Sequence, residues 1–313
     1  MDGACVCSYQ LVVFRIYAWL CVLEEEPCHS VLLRSDGVAV VCGSNHLGQC
    51  NIPDLAEGVT YTHADTGSDH TVLLTSDGTA AVCGSNEHGE CNIPALSDGV
   101  IYTQVATSGW HTVLLKSDGI AVACGWNIDG QCDIPVLPEG VVYEHVATAN
   151  HCTLLVRSDG TVVACGGVRG QFNIPALSVG VTYVQVAIGL GHIVLLMSDG
   201  IAVACGDNEH GQCNIPILAE GVVYTNVAVG EDHTVLLNSD GVVVACGLNY
   251  DGQCIIPALS VGVTHVQLAA AVNHTVLLKS DGTAAACGDD KYGQCKIPAL
   301  AEGVSYTHVV YTR

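Results

Sequence analysis

Residues 99–135 read GVIYTQVATSGWHTVLLKSDGIAVACGWNIDGQCDIP and contain every element of a unit that repeats along the chain. Its tripeptide Ser-Asp-Gly recurs at intervals of 40 or 41 residues, with the glycine at Gly37, Gly78, Gly119, Gly160, Gly200, Gly241 and Gly282. A repeat of this length is typical of architectures in which each unit buries its apolar surface against the next unit.

Within this unit, three β-rich runs are separated by turn residues. YTQVA supplies a first strand, HTVLLKS a second and IAVACG a third, and the CDIP segment can return as a short fourth edge. The Asp-Gly dipeptide predicts a two-residue hairpin of type I′ between the second and third strands. Because the second strand is apolar at Val113, Leu114 and Leu115 in succession, both faces of each sheet must be covered. We therefore predict an all-β, seven-bladed β-propeller with blades of about 41 residues.

The two ends of the repeat region are predicted to share one blade. Residues 303–310 match the first strand of a unit but have no hairpin after them. The hairpin that starts at His29 has no first strand of the same pattern before it. We expect residues 303–310 to pair with that hairpin and close the ring, which removes exposed sheet edges. Residues 20–23 occupy the equivalent slot before His29 and are the alternative.

Composition and charge limit the classes of protein that fit. With 50% apolar and 13% charged residues among 313, the chain is not disordered. Its net charge of −22 makes nucleic acid and membrane surfaces unexpected partners. Residues 1–27 hold an apolar run that is interrupted by Arg15 and is poor both as a secretion signal and as a membrane span. We interpret residues 1–27 as an N-terminal extension, residues 28–313 as the propeller, and the protein as a cytoplasmic monomer.

The string VAxGxxHTVLLxSDGxxVACGxNxxGQC resembles the repeats of the regulator of chromosome condensation family, in which a Gly-x-Asn-x-x-Gly-Gln loop follows the third strand. The compact spacing is similar to a short-repeat branch that includes a bacterial protein inhibitor of β-lactamases. The resemblance implies a seven-bladed propeller that binds a protein partner and is not an enzyme. Guanine-nucleotide exchange, or substrate recognition for a ubiquitin ligase, is the alternative function that it implies.

The chain departs from the family pattern at the residue before the glycine that ends the third strand. Where the family usually has tryptophan, this chain has Cys42, Cys83, Cys124, Cys165, Cys205, Cys246 and Cys287. With only three tryptophans, photoreception of the kind found in a plant member is disfavoured. Exchange activity is not supported either, because no long inserted loop separates the repeats.

Periodic histidines and cysteines have structural explanations. Histidine opens the second strand in six units, each in a different blade, so we favour packing over metal binding and expect no metal and no cofactor. Cysteines lie eight positions apart in six units; we favour small buried apolar residues, with disulfides second and zinc third. The fourth unit has Cys152 in the histidine slot and Phe172 in the second cysteine slot. The six histidines are His29, His70, His111, His192, His233 and His274.

The sequence variation between units points to one binding face. The second and third strands differ little between units, whereas the first turn and the Gly-x-Asn-x-x-Gly loop vary, and both emerge on the same side of a blade. We predict Trp110, Trp126, Tyr250 and Tyr292 as apolar anchors there.

Acidic residues make the rim of this predicted face negative, so we expect a basic protein partner. Arg169 and Lys291 are local basic exceptions that can set the partner's orientation. The alternative is that the acids only keep a repetitive β-protein soluble. The predicted acidic binding residues are Asp129, Asp207, Glu209, Asp232, Asp251 and Asp289, and Glu87, Glu231 and Asp290 lie on the same rim.

Overall fold

The computed structural model describes residues 29–149, 151–167 and 174–311. It contains seven antiparallel sheets of three strands each, which confirms the predicted all-β, seven-bladed propeller. The predictions for residues 1–27, Arg169 and Phe172 lie outside the described residues. No helix within these ranges is long and apolar enough to cross a bilayer.

The 21 strands are numbered in chain order. Blade 1 consists of β21, β1 and β2, and blades 2 to 7 each take three consecutive strands from β3 to β20. The strands are β1 (His29–Arg34), β2 (Ala39–Gly43), β3 (Tyr61–Thr66), β4 (His70–Thr75), β5 (Ala80–Gly84), β6 (Tyr102–Thr107), β7 (His111–Lys116), β8 (Ala121–Gly125), β9 (Tyr143–Ala149), β10 (Cys152–Arg157), β11 (Val162–Gly166), β12 (Tyr183–Ile188), β13 (His192–Met197), β14 (Ala202–Gly206), β15 (Tyr224–Val229), β16 (His233–Asn238), β17 (Val243–Gly247), β18 (His265–Ala270), β19 (His274–Lys279), β20 (Ala284–Gly288) and β21 (Tyr306–Tyr311).

The ring is closed by the last strand, as predicted. β21 pairs antiparallel with β1, and Val309 lies opposite Leu32 in that ladder. The competing segment, residues 20–23, lies outside the described residues. Both edges of β1 are therefore hydrogen-bonded, one to β2 and one to β21. Pairing the last strand with the first in one sheet makes closure of the ring part of the fold itself.

The hairpin between the second and third strands differs from the type I′ turn predicted for it. In blade 3, the Gly119 N–H donates to the Lys116 carbonyl (2.9 Å) and the Lys116 N–H donates to the Ile120 carbonyl (3.0 Å). Three residues therefore form the loop, and Gly119 ends it in the left-handed region with φ of +76°. This is a type I turn followed by a glycine bulge. Asp118 Oδ1 accepts the Ile120 N–H at 3.0 Å, so the aspartate bonds its own turn as expected.

The predicted fourth edge is also wrong, because the Cys-Asp-Ile-Pro segment forms no strand in the described structure. A tyrosine at the start of the next first strand holds the segment instead: the Tyr143 hydroxyl donates to the Pro135 carbonyl at 2.6 Å. Ile134 and Leu137 pack against the neighbouring core. Equivalent tyrosine–proline hydrogen bonds are made by Tyr61, Tyr102, Tyr183, Tyr224 and Tyr306.

The apolar core lies between adjacent blades. Val113 and Leu115 of β7 pack towards blade 4, where they share a cluster with Leu155. Leu114, between them in sequence, packs towards blade 2 in a cluster with Leu74. Successive apolar residues on the second strand thus serve opposite faces, as expected for a sheet covered on both sides.

Six buried histidines connect neighbouring blades, and we name them the histidine belt. His111 Nε2 lies 3.0 Å from Thr153 Oγ1 in the next blade. Because that hydroxyl donates its own proton to the Gln131 carbonyl (2.8 Å), it accepts one from Nε2. Burial lowers the pKa of His111 to about 3, which keeps the ring neutral. The other pairs are His29–Thr71, His70–Thr112, His192–Thr234, His233–Thr275 and His274–Ser30.

These contacts support the packing interpretation of the periodic histidines. Within the described ranges, no group of three histidine, cysteine, aspartate or glutamate side chains is arranged to hold a metal ion. The belt is interrupted between blades 4 and 5, where Cys152 replaces the histidine and Ile193 replaces the threonine. Both side chains are buried in one apolar cluster, so an apolar contact takes the place of the hydrogen bond.

The described cysteines are all free thiols. In blade 2, Cys83 Sγ donates to the Gln49 carbonyl at 3.3 Å, and Cys91 Sγ donates to the Ser85 carbonyl at 3.0 Å. Burial raises the pKa of Cys83 to about 11 and that of Cys91 to about 12. Such thiols stay protonated at neutral pH, which supports their role as small packing residues.

Candidate functional site

The loop after each third strand is held by its own polar side chains. In blade 3, Asn127 Oδ1 accepts the Cys132 N–H (2.8 Å) and Gln131 Oε1 accepts the Asp129 N–H (3.1 Å). These bonds explain the Gly-x-Asn-x-x-Gly-Gln pattern, because asparagine and glutamine set the backbone while the intervening side chains are free to differ. Ile128, at one of those intervening positions, is 76% exposed.

The first turns and the Gly-x-Asn loops lie on one side of the ring, which we name the loop face; the opposite side, with the Asp-Gly hairpins, is the hairpin face. Trp110, from the turn between β6 and β7, and Trp126, from the loop after β8, have ring centroids 6.0 Å apart. This contact supports the prediction that the two kinds of loop emerge together.

Two histidines from neighbouring blades extend this contact. His88, in the loop of blade 2, packs its edge against Trp126 with centroids 4.4 Å apart. His151, in the first turn of blade 4, has its ring centroid 6.2 Å from that of Trp110. Three blades thus contribute to one cluster of rings, and we name His88, Trp110, Trp126 and His151 the aromatic patch. Both tryptophans are half-buried, so each keeps part of its ring surface accessible to a partner.

Two carboxylates accompany the aromatic patch. Asp129 is exposed, and its Oδ2 lies 2.8 Å from His151 Nδ1. Glu90 is only 1% exposed, and its Oε2 accepts the His88 N–H at 2.8 Å. One carboxylate therefore stands at the rim of the patch, and the other is buried beneath the His88 loop.

The other two predicted anchors lie elsewhere on the ring. Tyr250, in the loop of blade 6, is 86% exposed, and its ring centroid is 6.5 Å from that of His210. Tyr292, in the loop of blade 7, is half-buried, and Lys291 Nζ lies 5.6 Å from its ring centroid. The four anchors therefore form one compact pair and two separate positions.

Several predicted acids also have structural contacts. Asp207 Oδ1 accepts the Glu209 N–H (3.1 Å), and Asp289 Oδ1 accepts the Lys291 N–H (3.0 Å), so both aspartates hold their own loops. Asp232 Oδ1 accepts a hydrogen bond from Gln212 Nε2 at 3.5 Å, and burial raises the pKa of Asp232. Glu209 and Asp251 are exposed. These carboxylates therefore combine loop-building contacts with negative charge on the loop face.

Three residues of the site were not predicted from the sequence: His88, His151 and Glu90. His151 occupies the slot of Trp110 in the next unit, and a comparison of units could have singled it out. Glu90 carried a clearer signal, because the other six units have glutamine at its position. Those glutamines are Gln49, Gln131, Gln171, Gln212, Gln253 and Gln294.

Comparison with known proteins supports the repeat assignment. A model described as the regulator of chromosome condensation (RCC1) repeat matches residues 62–90, 183–212 and 224–253. These segments correspond to blades 2, 5 and 6. No curated protein sequence matches the chain significantly.

Solved structures with a similar fold include yeast RCC1 (Prp20) bound to Kap60, human WBSCR16 and the ectodomain of the receptor kinase CR4 from Physcomitrella patens. Yeast RCC1 is 18% identical with a TM-score of 0.63, covering 74% of this chain and 71% of its own. WBSCR16 is 18% identical with a TM-score of 0.61, covering 77% and 81%. CR4 is 15% identical with a TM-score of 0.65, covering 84% and 70%.

At these identities the structural likeness establishes the fold alone. The three matched repeats, the seven sheets and the closing pair of β1 and β21 agree with one another. The chain is a seven-bladed β-propeller, and three of its seven repeats match the RCC1 repeat.

Proposed function

We propose that this chain is a protein-binding platform that contacts its partner through the loop face. The observation that carries the proposal is the aromatic patch, in which half-buried Trp110 and Trp126 from one blade are joined by rings from two others. Tryptophan is enriched among the interface residues that contribute most binding energy, because it buries a large rigid area and still offers a polar N–H.

The charge of the loop face favours a basic partner. In the described loops after the third strands, many carboxylates accompany two lysines, Lys291 and Lys296, and Lys296 Nζ lies 3.9 Å from Asp290 Oδ2. Arg34 and Lys116 on the hairpin face are each paired with the aspartate of their own turn. A partner with a positive surface would be attracted to the loop face and oriented by it. The loop carboxylates are Glu87, Asp129, Asp207, Glu209, Asp251, Asp289 and Asp290.

A solved structure with the same fold is compatible with a binding role. Yeast RCC1, which shares the fold, was solved with Kap60 bound to it. That complex concerns the yeast protein, and the face and partner of the present chain are proposed from its own loops.

Affinity capture from an extract of the native cells, followed by quantitative mass spectrometry, tests the proposal. Replacing Trp110 and Trp126 together by alanine should remove the main captured protein and leave the thermal midpoint nearly unchanged. The matched control replaces exposed Ile120 and Ile201 of the hairpin face by serine, and capture should persist. Capture that is insensitive to the tryptophans, or lost in the control, would contradict binding through the loop face.

A further inference from the structure

We propose that the aromatic patch receives one cationic side chain, a lysine or arginine of the partner protein, and that the buried carboxylate of Glu90 gives this site its preference for positive charge. This inference rests on the proposed function and names the chemistry of the central contact.

Contacts to its backbone place Glu90 directly under the patch. Its carbonyl accepts hydrogen bonds from Thr112 Oγ1 (2.8 Å) and from Cys124 Sγ (3.4 Å). Thr112 follows Trp110 by two residues, and Cys124 precedes Trp126 by two residues. Glu90 therefore lies between the two segments that carry the tryptophans, and its side chain bonds the backbone of His88, the third ring.

The charge of Glu90 has no cationic neighbour to balance it. In the described structure, no lysine or arginine forms an ion pair with Glu90, which is 1% exposed. Its Oε2 accepts a hydrogen bond from the His88 N–H at 2.8 Å. An unpaired carboxylate with little water around it exerts a stronger field than an exposed one, so a cation placed over the patch is attracted.

The rings supply the rest of a cation site. A lysine or arginine head group is attracted to the face of an aromatic ring, and tryptophan is the strongest of these rings. Ile128, 76% exposed on the same loop as Trp126, offers apolar surface for the methylene stem of such a side chain. Asp129 adds a second carboxylate at the rim through its bond to His151.

The second pair of rings provides an internal comparison. His210 and Tyr250 lie 6.5 Å apart in blades 5 and 6, and His210 occupies the same loop position as His88. The residue equivalent to Glu90 is Gln212, whose Oε1 accepts the His210 N–H at 3.0 Å. That pair has the same loop geometry with a neutral amide in place of the Glu90 carboxylate, and the half-buried carboxylate of Asp232 accepts a hydrogen bond from that amide, so we expect a weaker preference for a cation.

The test uses the full chain with isotopically labelled tryptophan and follows the indole N–H signals of Trp110 and Trp126 by NMR. The probes are the tripeptides acetyl-Gly-Lys-Gly-amide and acetyl-Gly-Arg-Gly-amide, compared with the norleucine tripeptide, which keeps the apolar stem without the charge. We expect both cationic tripeptides to shift the two indole signals in a saturable manner and the norleucine tripeptide to leave them unchanged. Absence of a shift, or equal shifts from norleucine, would overturn the inference.

A charge-removing variant tests the role of Glu90. Glu90→Gln installs the residue found in the other units, so folding and the thermal midpoint should be preserved, while binding of the lysine tripeptide should weaken about three- to tenfold. Asp240→Asn, which removes an exposed charge from the hairpin face, is the matched control and should have little effect. Equal binding by Glu90→Gln and Asp240→Asn would contradict the role of Glu90.

The two proposals fail in different ways. If the tripeptides do not bind but capture of the partner still depends on Trp110 and Trp126, the loop face is correct and the cation site is wrong. If capture does not depend on the tryptophans, the platform itself is wrong.

Discussion

His274 Nε2 lies 3.0 Å from Ser30 Oγ, so the last histidine of the belt is bonded to the first blade across the seam where β21 pairs with β1. At the five other intact interfaces the partner is a threonine of the following blade. The seam therefore carries the same polar contact as the rest of the ring, in addition to the ladder between β1 and β21. Closure depends on hydrogen bonds of both backbone and side chains.

Ser30→Ala should weaken this seam. The change leaves the buried Nε2 of His274 without its hydrogen-bond partner, and we expect the free energy of unfolding to fall by about 1–3 kcal/mol. Denaturant-induced unfolding measures the change. Ser97→Ala, at an exposed loop position, is the control and should leave stability unchanged. Equal stability of the two variants would show that the His274 contact contributes nothing to closure.

At the interface between blades 4 and 5, introducing the histidine and the threonine of the belt together should destabilise the fold less than the two single changes predict. Cys152→His alone places an imidazole against an apolar neighbour, and Ile193→Thr alone buries a hydroxyl without the histidine, so each should destabilise the fold. The double variant should recover about 0.5–3 kcal/mol relative to the sum of the single effects. A double-mutant cycle of unfolding free energies measures this coupling, and strictly additive effects would contradict it.

Two glycines with the same backbone conformation should respond differently to alanine. Gly119 and Gly140 both have φ of +76°, but a Cβ on Gly119 would meet Val142 Cβ at 2.4 Å, whereas one on Gly140 would meet nothing within 4 Å. Gly140→Ala therefore adds only left-handed backbone strain, about 1–2 kcal/mol. Gly119→Ala adds a clash at a blade contact and should be clearly more destabilising in thermal unfolding. Equal midpoints would mean that the hairpin shifts freely away from Val142.

Stability should decline on mild acidification. Burial lowers the pKa of each belt histidine from 6.5 to about 3 or about 4 in the folded chain. Below pH 6.5 the unfolded chain takes up protons that the folded chain cannot bind, so the free energy of unfolding falls as pH drops towards the folded values. Well below pH 6.5, each histidine contributes a slope of up to about 1.4 kcal/mol per pH unit.

Urea unfolding between about pH 8 and pH 5.5 measures this dependence while most carboxylates remain ionised. Stability should be highest near neutral pH and decrease below the pKa of free histidine. Towards pH 8 it should also fall slightly, because cysteines begin to ionise in the unfolded chain while burial raises their pKa in the folded one. His111→Asn removes one titrating ring, so the slope of unfolding free energy against pH should fall by the contribution of one histidine, up to about 1.4 kcal/mol per pH unit. A flat profile across this range would show that the folded belt accepts protons.

The architecture was predictable from the sequence because its signals are local and repeated. Ser-Asp-Gly marks every hairpin, and unpaired strand patterns at the two ends implied closure. The turn type was not predictable in the same way, because Asp-Gly fits a two-residue and a three-residue loop alike, and the Lys116–Ile120 pairing decides between them. The fourth edge failed because Tyr143 holds the proline segment by a side-chain bond, which requires no ladder.

The site was predictable in part. Trp110 and Trp126 were expected on one face from strand direction, but the 6.0 Å contact between them and the joining of His88 and His151 depend on how blades stack. Contacts between units have no signature within a single unit. Glu90 has a carboxylate oxygen where its glutamine equivalents have an amide nitrogen. Only its burial beneath the rings makes that difference significant.

Site-specific photo-cross-linking tests the central claim most directly. A photoreactive amino acid replaces exposed Ile128 on the loop face in one variant and exposed Ile120 on the hairpin face in another, and each is irradiated in native cell extract. We predict a discrete protein adduct from position 128 that is lost when Trp110 and Trp126 are also changed to alanine, and no adduct from position 120. Adducts from position 120 alone, or adducts from position 128 that persist without the tryptophans, would contradict binding through the loop face.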